Sequence, residues 1–341
     1  MVILTTGATG FLGGTLVRNL ISNEGYNPNE IRVLVMPDEN IDDLLELGVK
    51  PFVGDLRFPS TLKGIMKDVS VVYHNAALVV NDIFSREEIM RVNREGTVVL
   101  AEEFLKENTT EKFIFASSFG VYGYAFPKYP VAEDYPKRPI NNYQESKLLA
   151  EEDLFRLHLE NGLNITAIRN SLILGPRDKV TSLRVSQGLL NGKISYIGKG
   201  TNKLSIVDAR DSSNAMILST KKSISKGKAY NVKSYDITQN EYFNYYSEAC
   251  GGCFPQKRYP YWLAYSFAWL KEISTPKDKE VLVSRTRVNR YHSTRMLDST
   301  KIQQELSFKP IHSDSRKSIN DAVSWLKENN YLDLSKKQLL T

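Results

Sequence analysis

Cysteine and histidine are scarce in this sequence. Two cysteines, Cys250 and Cys253, in 341 residues exclude a disulfide scaffold and any four-thiolate metal site. The four histidines (His74, His158, His292, His312) are scattered, with no pair at helical ligand spacing, so no metal centre is expected. Long hydrophobic runs are missing as well. The longest apolar and aromatic run, Tyr259 to Leu270, has 12 residues and is closed by Lys271 and Glu272, whereas a spanning helix needs roughly 20. Residues 1–6 are too short for a signal peptide and lack its charged start. These absences lead to the expectation of a cytoplasmic chain with no integral membrane segment. Internal repeats and low-complexity linkers are also lacking.

What is present is ordinary globular material. Hydrophobic residues make up 41% and charged residues 25%, which excludes wholesale disorder, and the length suits about two domains. Lysine and arginine exceed aspartate and glutamate by 45 − 39 = 6. That excess raises the question of nucleic acid or a membrane surface. The basic residues show no aromatic-interleaved pattern, so no nucleic-acid partner is expected.

The first half alternates strand and helix. Strands are expected at Val2–Thr5, Ile31–Met36, Pro51–Val53, Val69–His74, Lys112–Ser117 and Asn164–Arg169. Helices are expected at Phe11–Ile21, Pro59–Met66, Ser85–Glu107 and Asn142–Glu160. Near-continuous apolar strands between helices indicate a parallel sheet covered on both faces. The fold class is therefore α/β, a doubly wound parallel sheet of Rossmann type over residues 1–175. Residues 176–341 form mainly a smaller α/β substrate-binding portion, with some segments returning to the sheet. There the strands thin out to Ser195–Ile197, Leu204–Val207 and Lys228–Val232. Helices over Asp208–Thr220, Thr238–Cys250 and Ser313–Glu328 predominate.

Thr6-Gly7-Ala8-Thr9-Gly10-Phe11-Leu12-Gly13 joins the first strand to the first helix. Gly7 permits a tight turn, Gly10 lets backbone approach a pyrophosphate, and Gly13 lets helix and strand pack closely. The helix N-terminus offers N–H groups and a positive dipole to phosphates. The loop lacks the Gly-Lys-Ser/Thr ending of a triphosphate-binding loop, so a dinucleotide is the expected ligand.

Tyr143-Gln144-Glu145-Ser146-Lys147 sets a tyrosine and a lysine one helical turn apart. A free phenol is a poor base at neutral pH, and a nearby ammonium favours the phenolate, making tyrosine a usable acid or base. An isolated pair of this kind also fits a half-exposed tyrosine beside a surface lysine. Here Ser117 and Ser118 end a strand at the carboxyl edge where ligands bind, so the hydroxyls and Tyr143 are expected to meet over the cofactor.

Further segments follow in one order. They are Asp55-Leu56, His74-Asn75-Ala76-Ala77, Val92 to Thr97, Val121-Tyr122-Gly123, Arg169 to Pro176 and Leu297 to Lys301. With the glycine loop and Tyr143 to Lys147, the series resembles the extended short-chain dehydrogenase/reductase family over nearly the whole chain. That family includes nucleotide-sugar epimerases, 3β-hydroxysteroid dehydrogenases and dihydroflavonol reductases.

The resemblance implies a hydride transfer between a secondary alcohol or ketone and a nicotinamide cofactor. Tyr143 would be the acid/base and Ser118 would polarise the carbonyl. Lys147 would hold the nicotinamide ribose and lower the tyrosine pKa. It implies cofactor contacts at Gly7, Thr9, Gly10, Phe11, Leu12, Gly13, Asp55, Leu56, Ala76, Ala77, Asn93, Ser117, Tyr143, Lys147, Asn170 and Leu172. Asn93 would order the active-site helix. It also implies a homodimer through Ser85–Glu107 and Asn142–Glu160.

The chain departs from the family at several points. Neither the acidic residue that reads NAD nor the basic one that reads NADP ends the second strand, where Val35 and Met36 stand. Asp38 and Glu39 come slightly later, and an acidic loop opposes a 2′-phosphate, so NAD is favoured over NADP. Asn170 replaces the family's proline. No acidic residue accompanies Ser118, which disfavours dehydration. The aromatic helix around Tyr259–Trp269 fits either the core of the smaller portion or an apolar substrate region, and an alcohol/ketone oxidoreductase ranks ahead of a sugar epimerase. A non-catalytic dinucleotide sensor is the third reading. Arg285, Arg287, Arg290 and Arg295 fit a substrate phosphate or a solvated basic face. Cys250-Gly251-Gly252-Cys253 has redox spacing but reads as a glycine-rich helix stop.

Overall fold

The computed structural model describes residues 1–79, 83–107, 110–124, 129–275 and 283–334. Strands β1 (Val2–Thr6), β2 (Ile31–Val35), β3 (Lys50–Val53), β4 (Val69–His74), β5 (Lys112–Ser118) and β6 (Ile165–Asn170) come first. Helices α1 (Phe11–Ser22), α2 (Asp42–Leu45), α3 (Arg86–Met90), α4 (Gly96–Leu105) and α5 (Asn142–Asn161) are interleaved with them. Then come β7 (Leu172–Leu174), α6 (Thr181–Leu190), β8 (Tyr196–Ile197), β9 (Lys203–Asp208), α7 (Ala209–Lys221), β10 (Lys228–Val232) and β11 (Tyr235–Thr238). The chain continues through α8 (Gln239–Cys250), β12 (Arg258–Tyr259), α9 (Tyr261–Ser274), α10 (Arg285–His292), α11 (Thr300–Leu306) and α12 (Ser315–Glu328).

Seven parallel strands form the main sheet in the order β10-β6-β5-β4-β1-β2-β3. The order reverses between β1 and β4, so the ligand crevice of a doubly wound sheet opens at their carboxyl ends. Strands β1, β4, β5 and β6 are buried on both faces, which is why they read as unbroken apolar runs rather than alternating ones. One face packs on Leu16, Val17 and Leu20 of α1 and on Ala215 and Met216 of α7. The other packs on Leu100 and Phe104 of α4 and on Leu154 of α5. The edge strand β10 and helix α7 come from the second half of the chain and complete the sheet layer.

A second core gathers α6, α8 and α12 around a three-stranded sheet, β11-β9-β7. Strands β7 and β11 each follow a longer strand after one or two residues, so the sequence pattern does not separate them from it. The expected helix over Pro59–Met66 is only a 3₁₀ turn, Pro59–Leu62. The expected helix Ser85–Glu107 is continuous but contains a π-helical turn, Arg91–Glu95, between α3 and α4. Such turns accumulate at functional sites because they re-aim one side chain. Here that side chain is Asn93.

Candidate active site

The glycine loop is shaped for backbone alone. Gly7 has φ +66°, and a Cβ there would lie 2.8 Å from the Ala76 nitrogen; one on Gly13 would lie 2.2 Å from the Gly7 carbonyl oxygen. Strand, loop and helix therefore close on one another only with glycine at both places. Helix α1 begins at Gly10 with no side-chain cap and no acidic residue in its first turn. Its uncompensated N–H groups and dipole face an anion site. These features fit the diphosphate of a dinucleotide.

Thr6 and His74 lock the neighbouring strand ends together. The Thr6 hydroxyl accepts from Asn75 N and Ala76 N, each at 3.1 Å, and so must donate to His74 Nδ1 at 2.7 Å. His74 Nε2 then donates to Thr97 Oγ1 at 2.7 Å, which in turn donates to the Asn93 carbonyl. This chain assigns the Nε2–H tautomer. Burial, with repulsion from Lys147, pushes the imidazole down to about 3, so it stays neutral.

The acid–base pair stands where β5 meets α5. Ser118 ends β5, and its Oγ accepts from Gly120 N at 3.0 Å. Asn141 caps α5 by accepting from Gln144 N. That cap starts the helix so that Tyr143 hydrogen-bonds Ser118. Lys147, one turn on, is buried, donates to the Ala116 carbonyl at 2.8 Å and sits 4.6 Å above the Phe115 ring. Desolvation pushes Tyr143 up to about 12, against the hydrogen bond from Ser118, and pushes Lys147 down to about 7. The expected lowering of the tyrosine pKa is thus reversed in this structure. Burial penalises both charged forms, phenolate and ammonium, and is the largest influence on each.

Asn93 reaches this pair through the helix. Its Oδ1 accepts from Leu78 N at 2.7 Å, and its Nδ2 donates to Leu78 O and to Ser146 Oγ. Ser146 donates to the Tyr143 carbonyl.

Other residues singled out in the sequence hold varied positions. The Thr9 hydroxyl donates to Glu39, whose other oxygen accepts from Met36 N at 3.1 Å. Glu39 thereby folds back beside the glycine loop at the end of β2. Sequence spacing alone placed it too late. Phe11 and Leu12 open α1. The Asp55 carboxylate is held by Arg57, which keeps it below its usual pKa. Leu56 packs under Gly96. Ala76 abuts Gly7, and Ala77 is half-buried beside it.

The Ser117 hydroxyl turns away to Glu151 at 2.7 Å, in a buried network with Arg169 and Tyr122. Asn170 Oδ1 accepts from Ser212 at 2.6 Å, while its Nδ2 is buried without a partner among the described residues. Leu172 lines a small cavity with Arg290, Tyr291 and Arg295.

The residues of that small cavity are far apart in the chain, so sequence spacing does not group them. Arg295 is buried over the Phe119 and Tyr124 rings, 5.8 and 5.3 Å from their centres, with its Nε unpaired among the described residues. Burial and the like charge of Arg290 lower its pKa to about 10. Behind it lies a cavity of about 570 Å³, lined by Ile194, Ile197, Phe243, Leu263, Phe267 and Val288 among others. Phe243 and Tyr291 form a wall common to both cavities. The reading of α9 as a core helix is overturned for most of its side chains, since Ala268 is its one buried residue. Arg285 pairs with Glu272. Cys250 is buried at the end of α8, which stops at a left-handed Gly251, so the helix-stop reading of that motif matches the backbone.

Comparison with known proteins agrees with this geometry. Residues 3–232 match the NAD dependent epimerase/dehydratase family model. "Sterol demethylase protein B" of Methylococcus capsulatus is 29% identical over 339 residues, covering 96% of this chain and 99% of that protein. The Dictyostelium discoideum "Sterol-4-alpha-carboxylate 3-dehydrogenase, decarboxylating" is 30% identical over 227 residues, covering 64% and 67%. The crystal structure of gox2253 superposes with a TM-score of 0.83 at 26% identity, covering 97% of this chain and 99% of that one.

Proposed function

The chain belongs to the NAD dependent epimerase/dehydratase family, and from that premise we propose that it interconverts a secondary alcohol and a ketone on an apolar substrate, with Tyr143 moving the hydroxyl proton. The observation that carries this reading is the hydrogen bond between the Tyr143 and Ser118 hydroxyls at the carboxyl edge of β5, one turn from the buried Lys147 ammonium. NAD, when bound, accepts or returns a hydride at its nicotinamide ring.

The chain's own groups do the rest. Backbone N–H groups of Phe11 and Leu12 and the glycines hold the diphosphate. Thr9 acts through Glu39, which takes the ribose hydroxyls and repels a 2′-phosphate; this supports NAD over NADP. Asp55 and Leu56 flank the base, Ala76 and Ala77 leave room beside it, and Asn170 with its unpaired Nδ2 faces the carboxamide end. Lys147 holds the second ribose. Ser118 Oγ orients the substrate oxygen. Tyr143, held protonated by desolvation, is set to donate to a ketone, and in the reverse direction its phenolate takes the proton.

The large cavity, which shares Phe243 and Tyr291 with the small cavity at Arg295, is mainly apolar, which supports a sterol- or flavonol-like body over a nucleotide sugar. The sterol names of two relatives point the same way. We place the protein in the cytoplasm as a homodimer through α4 and α5, a state that analytical ultracentrifugation tests. The deciding experiment incubates the protein with NAD and, separately, hydroxysterols, flavanols and UDP- or dTDP-sugars. Net NADH formed with an apolar alcohol supports the proposal. Inversion of a sugar centre without net NADH replaces it by the epimerase reading, for which the same tyrosine and lysine would serve.

A further inference from the structure

The excess charge of the whole chain sits in one stretch. Residues 254–295 contain nine lysines and arginines against three acidic residues, so 9 − 3 = 6, which equals the net charge of all 341 residues. Within that stretch α9 turns its largest side chains outward. Trp262, Trp269, Leu270 and Ile273 are 67, 47, 56 and 65% exposed. At helical spacing they cover roughly 100° of one face. Leu263 and Phe267, beside them on the helix, line the large cavity and are themselves exposed, so α9 is a one-helix wall between that cavity and the outside.

A surface of this kind needs a cover, because water around two indoles and two aliphatic side chains on one helix face is unfavourable. Lys257, Arg258, Lys271 and Arg285 of this stretch are exposed, so a second copy of the same face would bring like charges together. A bilayer with acidic headgroups meets both features at once. Tryptophan suits its interface, having an apolar ring and a polar N–H, and clustered lysine and arginine are drawn to its negative surface. We propose that α9 lies on an anionic lipid surface, with Trp262, Trp269, Leu270 and Ile273 entering the acyl boundary and the exposed Lys257, Arg258, Lys271 and Arg285 at the headgroups. The cavity behind Leu263 and Phe267 then stands one helix-width from the acyl region. That last point, unlike the docking itself, rests on the apolar substrate proposed above.

The test uses the full chain without cofactor or substrate, so failure of the oxidoreductase reading leaves it untouched. Vesicles of equal phosphatidylglycerol and phosphatidylcholine, and vesicles of phosphatidylcholine alone, are compared by flotation and by tryptophan emission with brominated lipid as quencher. Anionic vesicles are expected to bind the protein, blue-shift its emission and lose roughly tenfold or more in affinity in high salt. The variant Trp262→Ser/Trp269→Ser/Ile273→Ser should bind them roughly tenfold or more weakly while keeping its thermal stabilisation by NAD. Absence of binding to anionic vesicles overturns the proposal, as does undiminished binding by the triple variant. So does a dimer that the triple variant abolishes, which would assign the face to a second copy.

Discussion

Asn93 Nδ2 donates to Ser146 Oγ across 2.9 Å, tying a π-helical turn to the helix that carries Tyr143 and Lys147. The same amide clamps both backbone groups of Leu78. Asn93→Ala leaves several buried groups unpaired, at about 1–3 kcal/mol each. We expect a lower melting temperature together with a lower kcat and a shifted pH–rate profile. Ser146→Ala removes the tie between the two helices and the hydrogen bond to the Tyr143 carbonyl but leaves the Leu78 clamp intact, and it should lower kcat with a smaller loss of stability. Wild-type kcat and pH profile in both variants would show that the tie does not position Tyr143.

Tyr143→Phe removes the proton carrier and keeps the ring. NAD affinity measured by calorimetry should be retained, while turnover falls about a hundred- to ten-thousand-fold. The phenol's position near 12 adds a direction. Alcohol oxidation needs the deprotonated form, so its rate should climb with pH from neutrality upward, and ketone reduction should not. A flat oxidation profile across that interval would mean that the phenol gives no proton in the rate-limiting step.

His74 gives a stability signature. Its pKa is about 3 in the folded chain against an ordinary 6.5, so an unfolded chain binds the extra proton between those values. Stability is therefore full above 6.5 and is lost as pH falls towards 3. Between pH 7 and pH 5 the loss attributable to this residue is about 2 kcal/mol. Urea denaturation at the two pH values should show it in the wild type and not in His74→Gln.

Glu39 bears on cofactor choice. Its carboxylate beside Thr9 opposes a 2′-phosphate. The wild type should prefer NAD, and Glu39→Gln should narrow that preference by about tenfold, the effect of roughly 1.4 kcal/mol. Tighter NADP binding by the wild type in a titration would remove Glu39 from this role.

Much of this was legible in the residues. Strand β4 was read with its observed limits, and β1, β5 and β6 within a residue or two at each end, because doubly buried strands leave unbroken apolar runs. The glycine loop and the Tyr143–Lys147 pair were legible because spacing on a known element fixes which side chains share a face. Three things were hidden, each for its own reason. The π-turn at Asn93 is one extra residue per turn in an apolar pattern that tolerates it. The return of Glu39 to the glycine loop depends on a tertiary contact with Thr9. The protonation of Tyr143 and Lys147 depends on how much water burial removes, whereas sequence shows only that opposite charges stand near. The aromatic run of α9 misled because hydrophobicity alone does not say which side of a helix the protein occupies.

The place of β10 has a consequence for how the molecule comes into being. The strand that borders β6 is drawn from residues 228–232, far beyond the glycine loop and the tyrosine pair that the same sheet supports. During synthesis the first six strands of the sheet can associate early, but the outer edge of β6 stays bare until well over half the polypeptide has emerged. A bare central strand is a template for the wrong neighbour. Cutting the gene at residue 175 would make that exposure permanent, yielding a nucleotide platform prone to aggregate. The nascent chain therefore depends on its distal half to cover the edge of the sheet that carries the glycine loop.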